Sequence, residues 1–266
     1  MAKIVTIANQ KGGVGKTTLT VNLGASLSRI GKKVCLIDCD PQANLTIVLG
    51  YPQPNNLPVT LPNLIQDLIN ANLKPEKAES LQKREYILQG FNMDFIPSNI
   101  KLSGIENTLM NEINREIILK KIINCIKDNY DYILIDTMPS LSLITINALN
   151  AADSVIIPMQ PQYLSAKGLE LLLSTIERIK DSLNPNLNIE GVLITMYDNR
   201  LILHKEMVDV ISETFSGLKI FETKIPMSVR IAETQAKSMN IFDYSQSEKI
   251  SEIYEQFAKE FINNEQ

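Results

Sequence analysis

The feature that most constrains this chain is a glycine-rich segment near its start, Lys11-Gly12-Gly13-Val14-Gly15-Lys16-Thr17-Thr18. It follows a β-branched run at residues 3–9 and opens a helical pattern at residues 17–30, which Gly31 ends as a C′ residue. A strand, a glycine-rich turn and a helix in this order let backbone N–H groups surround an anion at a helix N-terminus. The segment therefore predicts a phosphate-binding loop, in which Lys16 reaches the phosphates and the Thr17 hydroxyl binds Mg²⁺.

The rest of the chain alternates apolar runs with helical patterns. This alternation predicts an α/β fold with a mainly parallel, twisted sheet covered by helices on both faces. The further predicted strands are residues 33–38, 93–96, 132–136, 154–158, 191–196 and 219–224. The further predicted helices are residues 114–127, 164–180, 203–215 and 248–261. We expect residues 1–266 to form a single domain, with the proline-rich residues 51–62 as a surface loop or a partner-specific insertion.

Composition excludes several classes of protein. With 44% hydrophobic and 21% charged residues, the chain is too apolar to be disordered, and no apolar run approaches the roughly 18 residues of a membrane span. The strand pattern begins almost at Met1, so no signal peptide is expected, and the three cysteines form no C-x-x-C pair, which favours a reducing cytosol. A net charge of −4 argues against a generally basic nucleic-acid-binding surface but leaves a local basic patch open.

Two further segments place carboxylates at the C-terminal ends of predicted strands, where open α/β sheets bind ligands. The first is the run at residues 132–136, which ends in Asp136, and we expect Asp136 to hold Mg²⁺ through water. The second is residues 36–42, which carries Asp38 and Asp40. Hydrolysis needs a group that positions or deprotonates water, and the single histidine, His204, lies far along the chain in a helical pattern. We therefore expect Asp40 to act in hydrolysis, whereas Asp38 is either a structural cap or an outer-shell Mg²⁺ contact.

These motifs resemble those of a known family. The two-lysine loop at residues 9–18, with Gln10 in place of the usual first glycine, and the following Val21-Asn22-Leu23-Gly24 resemble the deviant Walker A P-loop ATPases. Residues 38–44 (DCDPQAN) and 136–141 (DTMPSL) are similar to those of the ParA/Soj ATPases that partition chromosomes and plasmids. The likeness continues through residues 145–149, 191–196 and 225–226 and so covers nearly the whole chain.

The resemblance implies an ATPase with ATP and Mg²⁺ as its cofactors and a sandwich homodimer as its ATP-bound form. Lys11, Lys16 and Asp40 are then the catalytic residues, and Lys11 reaches the phosphates bound to the partner subunit. The implied nucleotide-binding residues are Lys11, Gly12, Gly13, Val14, Gly15, Lys16, Thr17, Thr18, Pro226 and Ser228. Ser228 stands where many relatives have asparagine at the adenine side.

The resemblance also implies partners. The ATP-bound dimer is expected to bind DNA without sequence preference, and a ParB-like centromere-binding protein is expected to stimulate hydrolysis and release it. The protein is then cytoplasmic and nucleoid-associated when ATP-bound. Arg200 and Arg230 match arginines implicated in DNA binding, whereas Met227 replaces another arginine that is common in relatives. The loop begins within a dozen residues of Met1, so no N-terminal helix-turn-helix and no operator binding are expected.

Two alternative functions stay open at this point. A MinD-like membrane-positioning ATPase needs a basic amphipathic C-terminal helix. Here the polar face of residues 248–261 carries Glu248, Glu252, Glu255 and Glu260 against Lys249 and Lys259. The second alternative is a metabolic enzyme, because a small-molecule ligase or kinase shares the phosphate-binding loop. An iron–sulfur carrier of this fold needs paired cysteines at the dimer interface, and the three cysteines are not spaced for this. Against a small-molecule enzyme, residues 40–42 and 225–226 favour the partition ATPase.

Overall fold

A computed structural model describes residues 1–162, 165–244 and 248–264. Within them, seven strands form one sheet in the order β3-β4-β2-β5-β1-β6-β7, and every neighbouring pair is parallel except β3 and β4. The strands are β1 (Lys3–Ile7), β2 (Val34–Cys39), β3 (Leu88–Gly90), β4 (Met93–Ile96), β5 (Tyr132–Thr137), β6 (Ser154–Met159) and β7 (Asn188–Ile194). The predicted α/β class with a mainly parallel sheet is confirmed.

Helices cover both faces of this sheet. They are α1 (Lys16–Arg29), α2 (Asn44–Val48), α3 (Leu61–Asn70), α4 (Glu79–Lys83), α5 (Leu102–Met110), α6 (Ile118–Asn124), α7 (Leu143–Ala151), α8 (Ser165–Ser182), α9 (Ile202–Thr214), α10 (Val229–Ala236) and α11 (Glu248–Asn263). Strands β2 and β5 supply alternate residues to two separate cores: Cys35 and Ile37 pack with α3 and α5–α8, whereas Leu36 packs with α1 and α11. Burial on both faces explains why these strands are continuous apolar runs.

The parallel arrangement gathers the loops that carry the predicted site. The C-terminal ends of β1, β2, β5, β6 and β7 lie at one edge of the sheet, so the segments that follow them converge there. Register is specific at this edge, because Asp136 of β5 lies opposite Asp38 of β2 on one side and Ile7 of β1 on the other. The glycine-rich loop after β1 therefore lies close to both acidic strand ends.

The predicted strand at residues 219–224 is wrong. Only Ile220 forms a bridge, to Val192 of β7. The ladder stops because the carboxylate of Glu260 on α11 accepts hydrogen bonds from the backbone amides of Glu222 and Thr223, at 2.6 and 3.0 Å. Those two amides are therefore taken by a side chain, and the segment runs beside the C-terminal half of β7 with isolated hydrogen bonds, from the Phe221 amide to Val192 and from the Ile225 amide to Ile194.

One helical prediction and one loop boundary are partly wrong. Residues 114–127 contain an α-helix only at Ile118–Asn124, with 3-10 turns at Arg115–Ile117 before it and Lys127–Asn129 after it. The proline-rich loop ends earlier than predicted, because α3 begins at Leu61 with a capping box between Thr60 and Asn63. The first residue of the helix predicted at 164–180 lies outside the described residues. The predicted end of the first helix is confirmed, because Gly31 follows α1 with a φ of 84°, as expected of a C′ residue.

The C-terminal helix α11 packs on the second core. Tyr254, Phe257 and Phe261 are all buried, with the ring of Phe257 edge-on to Phe221 at 5.0 Å and that of Phe261 5.8 Å from Tyr132. The apolar face of this helix is therefore used for packing, as the sequence predicted, which is not the arrangement of a membrane-binding helix. Among the described helices, none combines the length and apolar character needed to cross a bilayer.

Candidate nucleotide-binding site

The glycine-rich loop lies between β1 and α1. Gly13 and Gly15 have φ angles of 70° and 88°, in the left-handed region that glycine adopts at little cost. Gly15 is the N-cap of α1, and its carbonyl accepts the first helical hydrogen bond, from Leu19 at 2.8 Å. The loop thus leads directly into a helix N-terminus, where free amides and the helix dipole favour an anion.

A cleft of about 530 Å³ opens in front of this loop. Most of the predicted phosphate-site residues line it: Gly12, Gly13, Gly15, Lys16, Thr17, Thr18 and Asp40. The wall is completed by Asn44, Ile47, Val48, Thr137, Pro139, Met196 and Gln235. The structure therefore brings the loop and the end of β2 to one cavity.

Asp136 contacts the first turn of α1. Its Oδ2 accepts a hydrogen bond from the Thr17 hydroxyl at 2.6 Å, and its Oδ1 lies 3.5 Å from the Thr20 hydroxyl. Burial raises the pKa of Asp136 to about 8, with a further increase from the negative charge of Asp38. A buried carboxylate next to a hydroxyl is a set of hard oxygen ligands, so a divalent cation here would compensate the charge that burial disfavours.

Lys16 is buried and points back into the loop. Its Nζ donates a hydrogen bond to the carbonyl oxygen of Lys11 at 3.2 Å, and only 7% of the residue is exposed. Burial lowers the pKa of the Lys16 ammonium, while Asp136 and Asp40 act in the opposite direction. The ammonium is thus held against the loop at the cleft, where a bound anion would give it an acceptor of opposite charge.

Lys11 is directed to the end of β6 in its own subunit. Its Nζ donates to the side-chain oxygen of Gln160 at 3.3 Å and also to that of Gln162. The two loop lysines therefore lie on different sides of the loop: Lys16 is buried beneath it, and Lys11 lies along its outer side.

Asp38 is held in a buried hydrogen-bond network. Its Oδ2 accepts from both the backbone amide and the hydroxyl of Thr46 on α2, at 2.9 and 2.7 Å, and its Oδ1 accepts from the Asp40 amide at 3.1 Å. The Thr46 hydroxyl in turn accepts from the Ser98 amide at 3.0 Å. These contacts match the structural cap that the sequence left open for Asp38, and burial raises the pKa of Asp38 to about 7.

Asp40 follows β2 and is 6% exposed. Its Oδ1 accepts a hydrogen bond from the Gln42 amide at 2.9 Å, and its own amide donates to Asp38. A turn between the Asp40 carbonyl and the Ala43 amide, at 2.9 Å, fixes the chain here. The Asp40 carboxylate is therefore positioned at the cleft by local turn structure.

A second cavity of about 170 Å³ adjoins the first. Pro226 and Ser228 line it, and Gly15, Thr18, Met196 and Gln235 are common to both cavities. Its walls are mainly apolar, and the Ser228 hydroxyl accepts from the Arg230 amide at 3.2 Å, so that it also caps α10. The two predicted adenine-side residues thus lie where the cleft continues away from the phosphate loop.

Three polar residues of the site were not predicted. Gln160 and Thr195 contact the loop from the ends of β6 and β7, and Gln235 of α10 donates to the Thr18 hydroxyl at 2.6 Å. The strand-end rule that indicated Asp40 applies equally to Gln160 and Thr195. Gln235 lies within a helix that the sequence did not predict, so no signal pointed to it.

Arg200 and Arg230 lie outside both cavities. The Arg200 guanidinium binds Asp198 at 2.7 Å and, through its hydrogen bonds, lowers the pKa of Asp198 to about 2. Arg230 binds Glu233 at 3.2 Å on α10. Both arginines are at least partly exposed, and each contacts an acid of its own chain.

The fold and this cleft define the class of the protein. A parallel sheet, a glycine-rich loop entering a helix, a loop lysine and a threonine bonded to the acidic end of a neighbouring strand together make a P-loop ATPase. The second lysine, Lys11, assigns the loop to the deviant Walker A type.

Comparison with known proteins narrows this class. The profile of the family described as AAA domain matches residues 2–189. The sporulation initiation inhibitor protein Soj of Bacillus subtilis is 42% identical over 264 residues, which are 99% of this chain and 100% of that protein. The chromosome-partitioning ATPase Soj of Treponema pallidum is 39% identical over 264 residues, 98% of each chain. The chain belongs to the Soj/ParA family of chromosome-partitioning ATPases.

Solved structures of different functions share this fold. Cobyrinic acid a,c-diamide synthase from Mycobacterium smegmatis, solved with ADP and magnesium, matches with a TM-score of 0.81 and 30% identity, over 97% of this chain and 93% of that one. A putative plasmid partition protein from Borrelia burgdorferi B31, bound to AMPPNP, matches with a TM-score of 0.77 and 28% identity over 99% of each chain. Both structures carry a nucleotide on this fold.

The Asp38 network yields a prediction for stability. Thr46→Val removes a hydroxyl that donates to Asp38 and accepts from Ser98, and all three residues are fully buried. Because a buried polar group without its partner costs about 1–3 kcal/mol, the free energy of unfolding should fall by about 2–4 kcal/mol. Urea denaturation measures this change. Thr46→Ser should recover most of the lost free energy of unfolding. Thr214→Val, at an exposed position, is the matched control. Equal stability of the two valine variants would contradict the capping role.

Proposed function

We propose that this ATPase partitions DNA through a nucleotide-controlled homodimer. It binds ATP with Mg²⁺ in the cleft, dimerises in that state, binds DNA without sequence preference, and releases it when a ParB-like partner stimulates hydrolysis. The observation that carries the proposal is the pair of lysines on one glycine-rich loop: Lys16 lines the cleft from beneath the loop, and Lys11 lies along the outer side of the loop. The near-full-length similarity to Soj proteins supports it.

The residues of the cleft fit ATP and Mg²⁺. The loop amides, Thr18 and the N-terminus of α1 would bind the phosphates, with Lys16 beside them. Thr17 and, through water, Asp136 would bind Mg²⁺, and their oxygens are already 2.6 Å apart. Mg²⁺, when bound, neutralises phosphate charge, and Asp38 contributes by fixing the strand end next to Asp136. Pro226 and Ser228 would lie against the base.

Three residues have separate roles in the hydrolysis of ATP. Lys16 stabilises the charge that develops on the phosphate, which is electrostatic stabilisation by a preorganised group. Asp40, held at the rim of the cleft by the 40–43 turn, orients water. Lys11 leaves Gln160 and Gln162 and reaches the nucleotide of the partner subunit, so hydrolysis requires the dimer.

The DNA-binding surface would be small and doubled by dimerisation. Arg200 and Arg230 are the proposed contacts, and their acid partners are weak competitors because exposed ion pairs contribute little free energy. A chain with a net charge of −4 cannot bind DNA by bulk charge, so two arginines per subunit gain effect only when a dimer presents four together.

We propose that residues 1–266 act as a single domain, because one continuous seven-stranded sheet joins the elements of the chain. The ATP-bound protein would be associated with the nucleoid, because its DNA contacts are independent of sequence.

The deciding experiment is DNA binding by the purified chain with ATP, with ADP and without nucleotide, measured by anisotropy on two unrelated duplexes. We expect binding with ATP and Mg²⁺ only, and equal affinity for both duplexes. ATP-dependent binding to anionic vesicles without DNA binding would favour the MinD-like alternative. ATP consumption that depends on a small-molecule carboxylate and an amine donor, again without DNA binding, would favour a ligase.

Removal of the Asp40 carboxylate should separate binding from turnover. Asp40→Ala is expected to bind ATP with an affinity within about three-fold of wild type, but to lose at least about 100-fold in turnover and accumulate as an ATP-bound dimer. Phosphate release and analytical ultracentrifugation measure the two effects. Asp209→Ala, an exposed acid on α9, is the matched control. Wild-type turnover in Asp40→Ala would remove Asp40 from the mechanism.

The proposed DNA surface can be tested by salt dependence. The double variant Arg200→Ala/Arg230→Ala removes four phosphate contacts per dimer, so the slope of log affinity against log salt should decrease by about four. The loss should be equal for all duplexes, and ATP affinity should be unchanged because neither side chain lines the cleft. Arg178→Ala, an exposed arginine on α8, is the control, and an unchanged slope in the double variant would place the surface elsewhere.

A further inference from the structure

We propose that Gln160 and Thr195 are positioning residues of the phosphate-binding loop, and that Gln160 also retains Lys11 in its own subunit until the dimer forms. The inference rests on the proposed binding of ATP at this loop and specifies how that site is prepared and regulated. Both residues directly follow strands, β6 and β7, and are only 9% and 4% exposed, so they contact the loop from the protein interior.

Both side chains donate hydrogen bonds to consecutive loop carbonyls. The Gln160 Nε2 group donates to the Gly13 carbonyl at 2.9 Å, and the Thr195 hydroxyl donates to the Val14 carbonyl at 2.9 Å. Below them, the Asn9 side chain anchors the start of the loop to the Pro158 carbonyl at 2.7 Å. Two successive peptide units are thereby fixed with their carbonyl oxygens turned towards the ends of β6 and β7.

Because the two carbonyls are fixed, the geometry of the peptide bond also fixes the direction of the amides that follow them. In a planar trans peptide the C=O and the following N–H point in opposite directions. Carbonyls of Gly13 and Val14 that point inward therefore direct the amides of Val14 and Gly15 towards the cleft. Across residues 1–162, 165–244 and 248–264, neither of these amides donates a hydrogen bond to a protein group. Gln160 and Thr195 thus keep two donors oriented for phosphate before any nucleotide arrives.

The amide of Gln160 has a second contact. Its Oε1 accepts from the Lys11 ammonium at 3.3 Å while its Nε2 donates to Gly13, an orientation in which both ends of the amide are matched. Gln162 also accepts from Lys11 but has no hydrogen bond to the loop backbone among its described contacts. Both acceptors are neutral, so the contact keeps Lys11 in place without the strength of an ion pair. Phosphate in the partner subunit is the stronger acceptor, and Lys11 transfers to it.

Variants at Thr195 test the loop anchor. Thr195→Val keeps the shape of the side chain but removes its donor, and should weaken the affinity for ATP and ADP alike by about ten-fold, the effect of losing one buried hydrogen bond. Thr195→Ser restores the donor and should recover the affinity. Thr175→Val removes a hydroxyl that donates to a helix carbonyl on α8, at Leu171, and is the matched control.

Variants at Gln160 test the retention of Lys11. Gln160→Glu removes the donor to Gly13 and gives Lys11 a charged partner, so ATP affinity should fall about ten-fold and dimerisation should remain impaired even at saturating ATP. Gln160→Ala should lose the same affinity but dimerise once saturated, because it removes one of the two neutral acceptors of Lys11 and adds no charged one. Gln162→Ala should leave ATP affinity within two-fold of wild type, since its contact is with Lys11 and not with the loop backbone.

The readouts are ATP and ADP affinity by calorimetry, turnover, and sedimentation at saturating ATP, each on protein whose thermal unfolding matches wild type. Wild-type affinity in both Thr195→Val and Gln160→Glu, with a wild-type protein that binds ATP, would overturn this inference and leave the proposed function intact. Equal dimerisation of Gln160→Glu and Gln160→Ala at saturating ATP would overturn the retention of Lys11. A wild-type protein that binds no ATP would overturn both the inference and the proposed function.

Discussion

The hydrogen bond between Thr17 and Asp136 joins two segments that are 119 residues apart, and the rest of the site is arranged around it. It is possible only because β1 and β5 are neighbours in register, so that the helix opening after β1 lies over the acidic end of β5. The same register places Asp38 beside Asp136. Two buried acids at adjacent strand ends repel each other, and this local cost explains why a divalent cation is a suitable ligand for the cleft.

Much of this arrangement could be predicted from sequence, because the signals are local. The glycine-rich loop, the apolar strands and the strand-terminal acids are each readable within about ten residues, and the parallel topology then follows from their alternation. The sequence therefore predicts the glycine-rich loop and the acids Asp38, Asp40 and Asp136, which the structure brings together at one edge of the sheet. Of the two roles that the sequence leaves open for Asp38, the contacts in the structure are those of a cap, because its carboxylate accepts from Thr46 at the start of α2.

The errors arise where a distant residue decides local structure. Residues 219–224 have the composition of a strand, but Glu260, almost forty residues later, takes the backbone amides that a ladder needs. Gln160 and Thr195 are ordinary polar residues after strands, and their importance appears only when the loop carbonyls are seen beside them. Gln235 reaches Thr18 across 217 residues from a helix that no pattern indicated. Such contacts belong to tertiary structure and leave no local signature.

The helix α10 has two different surroundings. Its inner side, with Ile231, Ala232 and Gln235, lines the cavity next to the phosphate loop, whereas Arg230 lies on the same eight-residue helix outside that cavity. A helix this short moves as a rigid unit, so a ligand that shifts one side changes the position of the other. If nucleotide binding in the cavity strengthens the contact of Arg230 with DNA, thermodynamic linkage requires that DNA strengthen nucleotide binding by the same factor. With the proposed DNA-binding dimer, DNA would then be an effector of this ATPase, and a dimer on DNA would retain its nucleotide longer than a free one.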